Sequence, residues 1–185
     1  MSIQHFDASR IKKTNWSGGT TSELFIFPEG SEFNIGNYLF RLSIATVEIE
    51  ESTFTRLPDV NRTLMVLEGI LKLEHEGHHK ATLKPLEFDN FKGDWNTKSW
   101  GKVTNFNLMT KGDFEGSLSG IKLEKGAEIE ISMLKGNSFI HTYSGSTIVS
   151  GQNCQKYESI LIEGQQTISI LAKQESILVI VELDS

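Results

Sequence analysis

Through most of this chain apolar residues recur at every second position, and that regularity restricts the fold more than any other feature. In "YLFRLSIATV", Tyr38 to Val47, Phe40, Leu42 and Ile44 fall on one side and Arg41, Ser43 and Ala45 on the other. Successive side chains of an extended chain point to opposite faces, so the spacing predicts a strand with one apolar and one mixed face. "TLMVLEGILKLEHEGHHKATL" reads as two strands broken at Gly69, then a hairpin turning near Glu76 and Gly77. The style continues through "SFIHTYSGSTIVSG" to "SILVIVEL". No segment beyond about ten residues places apolar side chains at i, i+3, i+4 and i+7, the mark of an amphipathic helix. The 16 glycines fall mostly between the apolar runs, where turns require them. The pattern predicts an all-β sandwich, barrel or jelly roll.

A length of 185 residues suits one large β domain or two small fused ones. Residues 64–94 and 139–170 share an order: apolar strand, glycine turn, apolar strand, polar hairpin, then a strand with an acidic tip. That echo divides the chain into two related modules, 1–112 and 113–185. The second is short, so strands from the N-terminal segment are expected to complete its sheets.

Asp and Glu number 24 against 18 Lys and Arg, a formal charge of −6. With its lysines scattered, such a chain has no electrostatic footprint for nucleic acid or an anionic membrane. The longest apolar run, Ile177 to Val181, is too short to span a bilayer. The opening "MSIQHFDASRIKK" has no apolar stretch of the secretory kind. Cys154 is the single cysteine, which excludes an internal disulfide, and a cytosolic location is expected. It sits in "GQNCQKY" with no nucleophile motif around it and reads as a bystander.

The segment "NWSGGTTSELF", Asn15 to Phe25, looks at first like a phosphate loop. It lacks the lysine of such loops, and the next residues alternate as a strand where a helix N-terminus is required. It reads instead as a tight turn at Gly18-Gly19 delivering a strand from Thr20 to Phe27. Strict alternation would put Thr21, Glu23, Phe25 and Phe27 on one face.

Together, "NWSGGTTSELF", "FRLSIATV", "FTRLPDVNRTLMVLEG", "NFKGD" and "NFNLM" occur in an order and spacing that resembles the HutD/Ves family across most of residues 14–112. The resemblance implies an all-β bicupin of the RmlC-like jelly-roll type. It also implies a link to histidine utilisation, through binding a pathway metabolite such as formylglutamate with a regulatory role.

Of four arginines, Arg41 and Arg62 lie in apolar strand contexts, "LFRLSI" and "VNRTLMVL". A buried guanidinium needs a partner. Glu23, Asp59, Asp89 and Asp94 are candidate structural carboxylates; the alternative is an anionic ligand gripped through paired N–H bonds. Around the arginines, Trp16, Phe54 and Phe91 are expected as apolar walls, with Thr20 and Asn107 as neutral groups that orient a ligand. In "NFNLM", Asn105, Asn107 and Met109 share the face that should look into the cup.

Many cupins hold a metal with two histidines spaced HxH. Here His75 comes after Gly69 at the right distance, but Gly77 stands where the second ligand belongs. On a strand, the adjacent His78 and His79 would point to opposite faces. The three histidines therefore read as a polar hairpin tip, and no metal or cofactor is expected. His5 and His141 are isolated.

The reading is a metal-independent protein binding a small anionic metabolite, compatible with a homodimer through sheet edges. Two rival classes stay open. One is a cofactor-free isomerase or hydrolase with Glu23 as general base. The other is an interaction module without a ligand.

Overall fold

A computed structural model describes residues 2–133, 136–164 and 166–184. Gln165, in the expected second-module hairpin, lies outside them. In chain order the strands are β1 (Ser2–Phe6), β2 (Lys12–Trp16), β3 (Gly19–Phe27), β4 (Phe40–Val47), β5 (Glu51–Thr53), β6 (Val60–Glu68) and β7 (Leu71–His75). Next come β8 (Lys80–Leu83), β9 (Phe88–Lys92), β10 (Thr97–Trp100), β11 (Val103–Lys111), β12 (Glu115–Leu123) and β13 (Glu128–Met133). The last are β14 (Asn137–Ser144), β15 (Ser146–Val149), β16 (Gln152–Gln155), β17 (Ser159–Glu163), β18 (Gln166–Ala172) and β19 (Ser176–Asp184). Among the described residues the only helical turn is a short 3-10 segment, Ala8–Arg10, and no helix is long and apolar enough to cross a membrane.

Two compact units emerge: Ile11–Phe114, and Glu115 onward together with the residues up to Arg10. The second unit holds two antiparallel sheets, β1-β17-β14-β19-β12 and β13-β18-β15-β16. Ile140, Ile160, Ile162 and Ile180 from the first sheet meet Val149, Ile168 and Ile170 from the second in one buried cluster. Cys154 belongs to that cluster, and burial pushes its thiol up to about 11. A thiol held protonated in this way is a poor nucleophile.

The unit Ile11–Phe114 is built alike, from a six-stranded sheet β2-β3-β4-β11-β6-β9 and a four-stranded sheet β5-β10-β7-β8. Leu64, Val66, Phe91 and Val103 of the large sheet pack against Leu71, Leu73 and Leu83 of the small one. The face of the large sheet turned toward the small one is the cup.

Register decides which side chains enter it. Arg41 lies opposite Met109, Ser43 opposite Asn107, and Ala45 opposite Asn105. Across the next ladder Met109 faces Arg62, Asn107 faces Leu64 and Asn105 faces Val66. These residues share the face whose Leu64 and Val66 meet the small sheet, so the asparagine face looks into the cup. Phe40, Leu42, Ile44, Phe106 and Leu108 occupy the reverse face and are all buried.

A bulge in β3 changes one expected pattern. Glu23 pairs with Ser43, but Phe25 pairs with Leu42 and Ile26 with Arg41. The extra residue, Leu24, shifts the alternation by one, as bulges do. Phe25 and Phe27 therefore leave the Glu23 face and stack on Phe40 instead, with centroids 5.6 and 5.2 Å apart.

Candidate functional site

The opening glycines make room. A Cβ on Gly18 would strike the Trp16 indole at 2.2 Å, and one on Gly19 would lie 1.9 Å from the Thr46 carbonyl oxygen. The second obstacle is backbone in the neighbouring strand and cannot rotate away. Gly19→Ala is expected to destabilise the protein by about 2 kcal/mol through overpacking, read as a lower urea midpoint at unchanged m-value.

Near the starts of β4 and β6, on the inward face of the large sheet, lie two arginines with different surroundings. Arg41 Nε donates to Glu23 Oε2 at 2.7 Å, and Arg41 Nη1 donates to Ser43 Oγ at 3.3 Å. Its guanidinium also sits 4.3 Å from the centre of the Phe33 ring. Arg41 is thus a satisfied structural cation.

Arg62 is not paired in this way. Its Nη2 donates to the neutral Asn107 Oδ1 at 3.1 Å, while its Nε is buried with no hydrogen-bond partner among the described residues. No carboxylate among the described residues forms an ion pair with it. The guanidinium carbon lies 4.8 Å from the centre of Phe54 and 5.1 Å from that of Phe91, so two aromatic faces supply the remaining stabilisation. Burial pushes its pKa down to about 10, and the nearby Arg41 charge pushes the same way. It remains a cation at neutral pH. Taken as a whole residue, Arg62 is half-buried.

Asn107 is oriented for this role. Its amide nitrogen donates to Asn105 Oδ1 at 2.6 Å, which turns its carbonyl oxygen toward Arg62. Tyr38 is 3% exposed, with its hydroxyl 3.9 Å from Met109 sulfur. Burial raises its pKa, while Arg41 and Arg62 pull it down.

Of the expected site residues, Glu23, Arg41, Arg62, Phe54, Phe91 and Asn107 are therefore gathered in the cup. Thr20 is not: it pairs with Thr46 and alternates to the face opposite Glu23. Trp16 pairs with Gly19, which in turn faces Val47, six residues along β4 from Arg41. Its indole leans over Gly18 toward Ile49 and is 40% exposed, a rim position away from the arginines. Phe33, Tyr38 and Ser43 are additions that the sequence reading lacks. Phe33 comes from the aperiodic segment between β3 and β4, which offers no signal. Tyr38 opens the alternating run "YLFRLSIATV" but precedes β4, which starts at Phe40, so the period does not place it. Ser43 lies on the Arg41 face of "FRLSI", where alternation alone could have found it.

The candidate acids divide their duties. Glu23 takes Arg41, Asp89 takes two histidines, and the Asp94 carbonyl accepts from Arg56 Nε. The polar hairpin tip is corrected in one respect: His75 is buried, 2% exposed, with Nδ1 2.7 Å from Thr97 Oγ1 and Nε2 2.8 Å from Asp89 Oδ2. Its place at the end of β7, in phase with inward Leu71 and Leu73, explains the burial. Burial lowers its pKa, opposed by Asp89. His78 and His79 do not alternate as on a strand, because residues 76 to 78 form a turn closed by the His75 amide donating to the His79 carbonyl.

Residues 8–180 match the HutD family. The chain belongs to the HutD family. Among solved structures it is similar to the conserved protein of unknown function PA5104 from Pseudomonas aeruginosa PAO1, at 22% identity and a TM-score of 0.84 with both chains fully covered. It is also similar to HutD from Pseudomonas fluorescens SBW25, at 19% identity and a TM-score of 0.77, again over 100% of each chain. A bacterial pirin from Escherichia coli, YhhW in complex with nickel(II), matches at 13% identity and a TM-score of 0.74 over 97% of this chain and 98% of its own. No curated protein matches the chain. At these identities the structural likeness establishes the fold: this HutD-family chain is a double cupin. In it, the inward arginine pair and Asn107 lie on the large sheet of one cupin unit.

Proposed function

We propose that this HutD-family protein is a cytosolic binder of a small carboxylate metabolite, seated on Arg62 in the cup of the Ile11–Phe114 unit. One observation carries the reading: Arg62 is an enclosed cation whose only hydrogen-bond partner among the described residues is a neutral amide oxygen. Enclosing a charge without a counter-ion costs several kcal/mol, and a ligand carboxylate would recover it through charge-assisted bonds. Phe54 and Phe91 would exclude water from the contact, and Asn107 would hold the guanidinium plane in orientation. Arg41 would contribute long-range attraction only, since Glu23 already neutralises it.

Family membership supports formylglutamate, or a related acid of histidine degradation, as the guest, and a regulatory output as the consequence. Glu23 is engaged with Arg41 and is not poised as a base, so the geometry gives the isomerase or hydrolase reading no support. Isothermal titration of formylglutamate and of urocanate into the full chain tests the proposal. Saturable 1:1 heat with one of them is expected; no heat from either, with the protein shown to be folded, would count against it.

A further inference from the structure

We propose that His75, His79 and Asp89 form a binding site for a divalent transition metal, zinc above all, beside the cup. This site is independent of the carboxylate reading. Each residue offers one ligand atom, and the three atoms lie within 4.8 Å of one another. His75 Nε2 is 2.8 Å from Asp89 Oδ2, and His79 Nε2 is 2.9 Å from each Asp89 oxygen.

Geometry and donor type agree. Zinc bonded at about 2.0–2.1 Å in a tetrahedron sets neighbouring ligand atoms about 3.3 Å apart. The imidazole nitrogens need to draw back from the carboxylate by only about half an ångström to admit the ion. His79 can do so freely, because its side chain is 41% exposed. His75 is held from behind: with Nε2 on a metal, its Nδ1–H donates to Thr97 Oγ1, 2.7 Å away. Such a bond fixes the ligating tautomer. Two imidazoles and a carboxylate suit zinc, nickel or copper and leave a fourth position open, whereas calcium and magnesium prefer all-oxygen shells.

The fold assembles the trio from three places. His75 ends β7, His79 closes the turn opposite it, and Asp89 lies on β9 beside Leu64. Asp89 and Phe91 point to the same side of β9. The Phe91 ring is 4.5 Å from the His75 ring and 5.1 Å from the Arg62 guanidinium carbon, so one aromatic wall separates the metal site from the arginine. The HxH spacing that Gly77 interrupts plays no part here.

The test is titration of zinc chloride into the metal-free full-length protein, in competition with a chromophoric chelator. One zinc per chain is expected. His79→Ala, at an exposed position that folding tolerates, should weaken affinity by at least about 100-fold. His78→Ala should leave it within about twofold, because the His78 ring stacks flat on Trp95 at 3.7 Å, outside the ligand set. Cobalt(II) loaded in place of zinc should show the visible absorption of a tetrahedral site, lost in Asp89→Asn. No stoichiometric zinc in the wild type, unchanged affinity in His79→Ala, or equal losses in His78→Ala and His79→Ala would each overturn the site.

Discussion

Arg62→Met is expected to stabilise the unliganded protein by about 1–3 kcal/mol and to weaken carboxylate binding by at least about 100-fold. The two effects have one origin. Arg62 is enclosed by Phe54 and Phe91, its Nε has no hydrogen-bond partner among the described residues, and burial pushes its pKa down to about 10. At about 1.36 kcal/mol per pKa unit, and allowing for a residue that is half-buried as a whole, that depression means a charge penalty on the order of 2 kcal/mol. Methionine is similar in length and apolar, so it removes the penalty and keeps most of the packing. Among the described residues the hydrogen bond surrendered is to Asn107 Oδ1, which loses that donor while the Asn107 amide nitrogen keeps Asn105 Oδ1. This loss and that of the two ring contacts offset part of the gain. Urea unfolding and titration on the same two proteins read both signs. A destabilised variant that still binds would refute the assignment.

Glu23→Leu is expected to act in the opposite direction, with a loss of about 3 kcal/mol. The Arg41 and Glu23 side chains retain only 7% and 17% exposure, so removing the acid strands a nearly buried cation. Ser43 and the Phe33 ring offset that charge only in part. Adding Arg41→Met to Glu23→Leu should restore most of the lost stability, since the stranded charge is then gone. A cost below about 0.5 kcal/mol for Glu23→Leu would place the pair among ordinary surface bridges, and the double variant would then gain nothing. Loss in one case and gain in the other distinguishes a neutralised arginine from one that lacks a counter-ion.

The strand alternation is legible in the sequence because each face of a β-strand meets a single environment. In "FRLSIATV" and "NFNLM" the period alone groups Arg41 with Ser43, and Asn105 with Asn107, each pair on one face, and the ladder between β4 and β11 joins the two faces. That both faces are buried leaves the inward one to the structure. Legibility ends where the period breaks. Leu24 adds one residue to β3, and nothing in "TTSELFIF" marks it, because both parities of that segment carry polar and apolar residues. Thr20 is close to Glu23 along the chain, but neighbours of odd and even number occupy different faces. His75 borders a polar turn and reads as part of it, although its phase with Leu71 and Leu73 in "LKLEH" shows it pointing inward. Which arginine finds an acid is not legible at all. That choice depends on Glu23 lying beside Ser43 across a ladder, a fact of register and not of local sequence.

The central claim is that an anion meets the Arg62 guanidinium, and side-chain NMR can observe that group directly. With only four arginines in the chain, Arg10, Arg41, Arg56 and Arg62, the Nε–H spectrum is sparse enough to assign by single substitutions. On adding formylglutamate, the Arg62 Nε–H signal should move in a saturable way, while those of Arg10 and Arg56 stay in place. A ligand that binds without moving the Arg62 signal, or moves an exposed arginine instead, would contradict it.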